Sequence, residues 1–162
     1  MELRRHWDLR KVMTLVYLVA LVIYLVVGLA PAEAAQYVVA DTLEIESIGL
    51  TSDVTELNLV EHRLDTPEEI VGSYSRWPSK TLLIGHAGTV FQDLNLVSVG
   101  DTIKYGGAIY KVSQIELYRK EDVDMEAVLA PAPRRTLSIM TCAGEVRGLD
   151  ASHRLILTAV AV

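Results

Sequence analysis

From Asp41 onward the chain breaks into short runs with strand periodicity, and this close spacing constrains the fold more than any other feature. Thr42 to Ile48 alternates apolar and polar residues, the pattern of a half-buried strand. Leu57-Asn58-Leu59-Val60 predicts a second strand, and Thr81 to Ile84 a third. Asp101 to Tyr105 and Ala108 to Tyr118 flank Gly106-Gly107, a hairpin signal. Thr136 to Cys142 and His153 to Val162 complete the set. Asp65 to Pro78 contains two prolines, one glycine and several polar residues, which predicts a loop. Val90 to Leu96 predicts a helical turn or two, with Phe91, Leu94 and Leu96 facing inward. Glu121 to Leu129 has helical spacing, with Asp122 as its N-cap and Pro131 and Pro133 ending it. The fold class is therefore all-β, a barrel or a sandwich, with one or two short helices. Periodicity does not choose between the two architectures.

Leu137-Ser138-Ile139-Met140-Thr141-Cys142 ends on the only cysteine of the chain. Alternation turns Leu137, Ile139 and Thr141 one way and Ser138, Met140 and Cys142 the other. With one cysteine no internal disulfide forms, so the fold rests on its core, and an exposed thiol would be available for chemistry. A lone cysteine in an apolar strand is ordinarily a small buried hydrophobe. Two further residues weigh against that reading. His86 follows the apolar run Leu82-Leu83-Ile84-Gly85, and Arg154 opens the final apolar run, twelve residues after the cysteine. Taken singly, His86 reads as a turn histidine and Arg154 as a solvating charge on an edge strand.

Val12 to Ala30 is nineteen residues without a charge, roughly one bilayer crossing at ~1.5 Å per residue. Arg4, Arg5, Arg10 and Lys11 precede it, which keeps residues 1–11 in the cytoplasm and sends the rest outward. Ala32-Glu33-Ala34 has the form of a signal-peptidase site, but the apolar core exceeds a usual signal h-region, which favours an uncleaved anchor. The expected organisation is a cytoplasmic N-terminus at 1–11, a transmembrane anchor at 12–30, a linker at 31–40 and one domain at 41–162. The first 33 residues hold four basic and three acidic side chains, a net of +1. Residues 34–162 therefore carry −7 of the chain's −6. That balance argues against nucleic acid as a partner, because a nucleic-acid surface needs a basic patch.

Ser138-Ile139-Met140-Thr141-Cys142 resembles the Thr-Leu-x-Thr-Cys signature of sortases, with Ser for Thr and Ile for Leu. Ile84-Gly85-His86 resembles the family's Gly-His segment. Phe91-Gln92-Asp93-Leu94 and Val99-Gly100-Asp101-Thr102-Ile103 resemble the block that follows its histidine. Tyr110-Lys111-Val112 fits the next strand, and Arg154-Leu155-Ile156-Leu157 fits the arginine that starts the last one. Each motif is short, but they come in family order from about Asp41 to the C-terminus.

The resemblance implies a closed, mostly antiparallel β-barrel of about eight strands, with a groove on its wall. It also implies a cysteine transpeptidase that needs no cofactor. Cys142 is its nucleophile, His86 its general acid and base, Arg154 its oxyanion or substrate donor, and Thr141 a substrate-binding residue. These residue types suit the chemistry. A thiolate needs a proton partner near neutral pH, and an oxyanion is well met by a guanidinium that never loses its charge. The implied substrates are exported proteins with a C-terminal, Leu-Pro-x-Thr-Gly-like sorting signal. The implied acceptor is an amine of a cell-wall precursor or of a pilin-like subunit. The domain is expected to be a monomer, held at the membrane by its N-terminal helix. The alternative is a non-catalytic envelope barrel that binds sorting peptides or acts structurally.

Rival bases fit less well. His6 precedes the anchor, His62 matches no catalytic position, and His153 is turned by alternation to the face opposite Arg154. Glu68, Glu69, Glu121, Asp122, Asp124 and Glu126 resemble the calcium site of some sortases. Their spacing is not that of a calcium loop, and a solvated surface is favoured. Gly144 to Gly148 predicts a small loop over the groove, with Arg147 in it.

Overall fold

The computed structural model describes residues 12–19, 38–61, 63–147 and 150–162. The chain divides into two compact units, Met1–Gln36 and Tyr37–Val162. In the first, residues 12–19 are helical. The remainder of the expected anchor, residues 1–11 and most of the expected linker lie outside the described residues. No helix among the described residues is long and apolar enough to cross a membrane.

Among its described residues the second unit holds ten strands: β1 Val39–Ile45, β2 Leu50–Glu56, β3 Leu59–Val60, β4 Arg63–Leu64, β5 Val71–Trp77, β6 Lys80–Ile84, β7 Thr102–Tyr105, β8 Ala108–Arg119, β9 Thr136–Arg147 and β10 Asp150–Ala161. Eight of them close into a barrel in the order β1-β2-β5-β6-β9-β10-β8-β7, and β3 and β4 form a separate small hairpin. The barrel expected from the resemblance is the one observed, with two parallel seams, β2–β5 and β6–β9, among antiparallel ones.

Alternation explains the closure. One face of each strand supplies the interior: Leu43 and Ile45 from β1, Val54 from β2, Val71 from β5, Leu83 from β6, Ile103 from β7, Tyr110 and Val112 from β8, Leu137 and Ile139 from β9, Leu157 and Ala159 from β10. These side chains are essentially inaccessible to water. Each large one contributes about 1.5–3 kcal/mol on burial, set against the entropy of ordering the chain. The barrel has no cross-link, so this core carries its stability.

The structure corrects several readings of the sequence. Leu96, expected to face inward with Phe91 and Leu94, is exposed. The stretch Asp65–Pro78 is not all loop, because its second half is β5, which joins β2 in parallel and β6 in antiparallel fashion. Gly72 sits inside that strand because the Leu57 side chain occupies the space a Cβ would need. β2 was not expected, since its burial is partly polar: Thr55 Oγ1 donates to Val38 O (3.1 Å) and Ser73 Oγ to Thr55 O (3.2 Å). The short helix is Met125–Leu129, and its cap is Asp124 rather than Asp122; the Asp124 carboxylate accepts from the amides of Glu126 and Ala127. Finally, β9 does not stop at Cys142. It runs through Gly144 to Arg147, and the pairing with β10 shifts between Ala151 and His153. Gly144 takes φ +78° there, with the Ser152 and His153 side chains against it, so the predicted loop is largely a bulged hairpin.

Candidate active site

The candidate residues meet on one wall of the barrel, where β6, β9 and β10 lie side by side. β9 and β10 are antiparallel, and their register sets Arg154 directly opposite Cys142. Directly paired residues project from the same face, so both side chains emerge on the outside of the wall. β6 and β9 are parallel, and Ile84 pairs with Met140 at the last rung. His86 lies two residues past Ile84 and Cys142 two past Met140, so the same direction of travel delivers both to one end of the wall. A groove of about 180 Å³ is lined there by Thr66, Ile84, Gly85, His86, Met140, Thr141, Cys142 and Arg154.

The turn that presents His86 is held from below. Gly85 N donates to Met140 O (3.4 Å), which extends the β6–β9 pairing one step past the strand. The buried Thr141 hydroxyl donates to Gly85 O (2.8 Å). A Cβ on Gly85 would lie 2.6 Å from carbons of Phe91 and Val90, so only glycine fits. The His86 carbonyl then accepts from the amides of Thr89 (3.3 Å) and Phe91 (3.0 Å). Phe91 and Leu94 are buried in the core, which anchors this turn and gives the Phe-x-x-Leu block a physical task.

The Gly100-Asp101 block serves structure. Its amides and carbonyls pair with Ser98 and Val112, and Gly100 takes φ +99° to start β7. Ser98 N donates to the Asp101 carboxylate (2.9 Å). That bond and one with the Ser47 hydroxyl hold the Asp101 carboxyl below its ordinary range.

Cys142 is a free, half-buried thiol, and His86 is exposed at the groove's edge. Arg154 is half-buried, and its Nη1 donates to His153 O (2.9 Å) and Ala151 O (3.1 Å), where the bulge of β10 turns carbonyls toward it. The guanidinium is therefore placed by the backbone beside the thiol. Thr141 lines the groove with its hydroxyl engaged by Gly85.

The other candidates stand elsewhere. His153 pairs with Ala143, and its Nδ1 lies 2.7 Å from Ser152 Oγ. His6 and His62 are outside the described residues. Arg147 belongs to β9 and pairs with Asp150. The acidic residues do not form a site: no group of three or more His, Cys, Asp or Glu among the described residues could hold a metal ion. Glu126 instead pairs with Arg76 (2.9 Å) on the surface. Thr66 was not foreseen. It lies twenty residues before His86, in a stretch read as loop, and no spacing in the sequence ties it to the groove.

The family model described as Sortase domain matches residues 43–162. Comparison with curated proteins gives no match. The fold is similar to a lid mutant of sortase A from Corynebacterium diphtheriae, at 24% identity and TM-score 0.63 over 81% of this chain and 74% of that one. It is also similar to another structure of sortase A from Corynebacterium diphtheriae, at 25% identity and TM-score 0.63 over 80% of this chain and 63% of that one. Sortase C-1 from Actinomyces oris matches at 25% identity and TM-score 0.59, over 76% of this chain and 73% of that one.

Proposed function

The chain belongs to the sortase family, and on that premise we propose that it is a membrane-anchored cysteine transpeptidase acting on exported proteins with a C-terminal sorting signal. The observation that carries this reading is the convergence of Cys142, His86 and Arg154 on one groove. The Cys142 thiolate attacks the carbonyl carbon of the scissile peptide bond and forms a tetrahedral intermediate. Arg154 stands opposite Cys142 across the ladder and faces the developing oxyanion with fixed charge. His86 gives its proton to the leaving amine as the C–N bond breaks, which leaves a thioester on Cys142. An incoming amine, from a cell-wall precursor or a pilin-like subunit, attacks the thioester. It loses its proton to His86, and the thiolate departs. Thr141, in the lining beside Cys142, contacts the substrate while its hydroxyl holds Gly85. No cofactor enters the scheme. Residues 12–30 are the proposed anchor, with the barrel on the extracytoplasmic side.

The test uses the full-length protein, a Leu-Pro-x-Thr-Gly-type peptide and a small amine. Peptide cleavage and amine transfer are expected, with an intermediate whose mass equals protein plus acyl fragment and which hydroxylamine releases. Cys142→Ala is expected to abolish all three while leaving the circular dichroism spectrum intact. Retained cleavage in that variant would refute the reading.

A further inference from the structure

His86 is a general acid on an exposed turn, and its ring needs something to hold it. Among the described residues the ring's hydrogen-bond contact is not a carboxylate but a backbone carbonyl, Thr66 O, 3.4 Å from Nε2. A carbonyl only accepts, so this contact places a proton on Nε2 and leaves Nδ1 as the nitrogen free to exchange its proton. Thr66 belongs to the segment 65–70 between the β3–β4 hairpin and β5. Pro67 beside it is buried, and Thr66 itself lines the groove with Cys142.

Thr89 connects this segment to the histidine. Its amide donates to the carbonyl of His86 itself (3.3 Å), and its hydroxyl donates to the carbonyl of Glu68. One residue thus grips the backbone of the histidine with one group and the neighbouring segment with another. We propose that residues 65–70 form a positioning strap for His86, in which the Thr66 carbonyl fixes the ring's tautomer and the Thr89 hydroxyl holds the strap in place. The proposal rests on the reading of His86 as the general acid. It adds two positioning residues, neither of which touches the reacting atoms. A terminal imidazole torsion is broad and two-fold, so an exposed ring without such a peg would divide its time between orientations. The acid would then be misplaced for part of the time.

Thr89 is exposed, so Thr89→Val removes the hydroxyl at nearly constant volume with little risk to the core. In the full-length protein, this variant is expected to lower kcat roughly 10-fold, as fits loss of orientation rather than of the group itself. KM should stay within about 2-fold, because the strap acts on the chemical step. Thr89→Ser should restore kcat. A second readout does not depend on turnover. In full-length protein labelled with 15N-histidine and carrying Cys142→Ala, long-range proton–nitrogen correlation should find the neutral His86 protonated on Nε2. Thr89→Val should turn that into a mixture of tautomers. A proton on Nδ1 in the unsubstituted strap, or a tautomer and kcat indifferent to Thr89→Val, would overturn the proposal. Absence of turnover in the unmutated protein, with the tautomer still responding to Thr89→Val, would sink the transpeptidase reading and leave the strap standing.

Discussion

The two seams that flank β9 build the site in opposite ways. Along β9–β10 the chain runs antiparallel, and Arg154 is set in mid-strand by ladder bonds on both sides. Its guanidinium is fixed by two carbonyls of its own bulge. Along β6–β9 the chain runs parallel, and β6 ends at Ile84 while β9 continues for seven residues past its partner Met140. His86 therefore leaves the sheet and depends on a turn, a glycine and side-chain contacts for its position. The antiparallel seam offers stiffness, and the parallel seam delivers two strand ends to the same place. The mechanism proposed above calls for both, a fixed donor for developing charge and an acid able to serve two half-reactions.

Breaking the stiff seam should cost the most. Arg154→Ala is expected to lower kcat by at least ~10²-fold, the order seen when an oxyanion donor is lost. Its effect on KM should be smaller, since the donor acts chiefly in the transition state. Steady-state kinetics on one sorting peptide checks this, and a change confined to KM would reassign Arg154 to substrate binding.

The softer seam can be disturbed at its hinge. Gly85→Ala places a methyl against Phe91 and Val90, and Phe91 is a core ring that cannot swing aside. Overpacking of this kind costs about 1–3 kcal/mol. The melting temperature should fall, and kcat should fall with it as His86 shifts. An unaltered melting temperature would mean that the turn yields more easily than its packing indicates.

This contrast also marks what the sequence could reveal. The facing of Cys142 and Arg154 was legible, because strict alternation on two neighbouring antiparallel strands fixes which residues share a face. Gly85 and His86 were legible as a motif, but the reason for the glycine needed Phe91 in three dimensions. β5 was hidden by its composition. Gly72 and the prolines at each end read as loop, whereas Gly72 exists to let Leu57 pass and Pro78 follows the strand's last residue. β2 was hidden because Ser52 and Thr55 are buried by hydrogen bonding, which hydropathy does not register. Thr66 was beyond reach, since its tie to His86 is a backbone carbonyl that any residue would supply.

A milder perturbation of the same seam is Thr141→Val. The exchange nearly conserves volume but removes the donor to Gly85 O, a buried carbonyl whose partner is then lost. Such a loss costs about 1–3 kcal/mol. The amide of Gly85 still pairs with Met140 O, so the turn should loosen rather than detach. Chemical denaturation should show a lowered midpoint with unchanged slope. Thr141→Ser should recover the midpoint to the extent that the hydroxyl, and not the methyl, carries the effect.

The smallest effect is expected at Arg147, the second arginine after the cysteine. In the sequence, Gly144 and Gly148 around it suggest a loop from which a mobile arginine could reach toward Cys142. The strand assignment removes that argument: residue 147 is the last of β9, paired with Asp150, five rungs along the chain from Cys142. A donor contributes to catalysis when its geometry is set before the charge develops, and the backbone sets it for Arg154. Arg147→Ala should therefore change kcat by less than about 3-fold, as fits a residue outside the proposed chemistry. Measured beside Arg154→Ala on one peptide, a larger loss at Arg147 would reverse the assignment. It would also show that the hairpin past Gly144 folds over the groove when substrate binds.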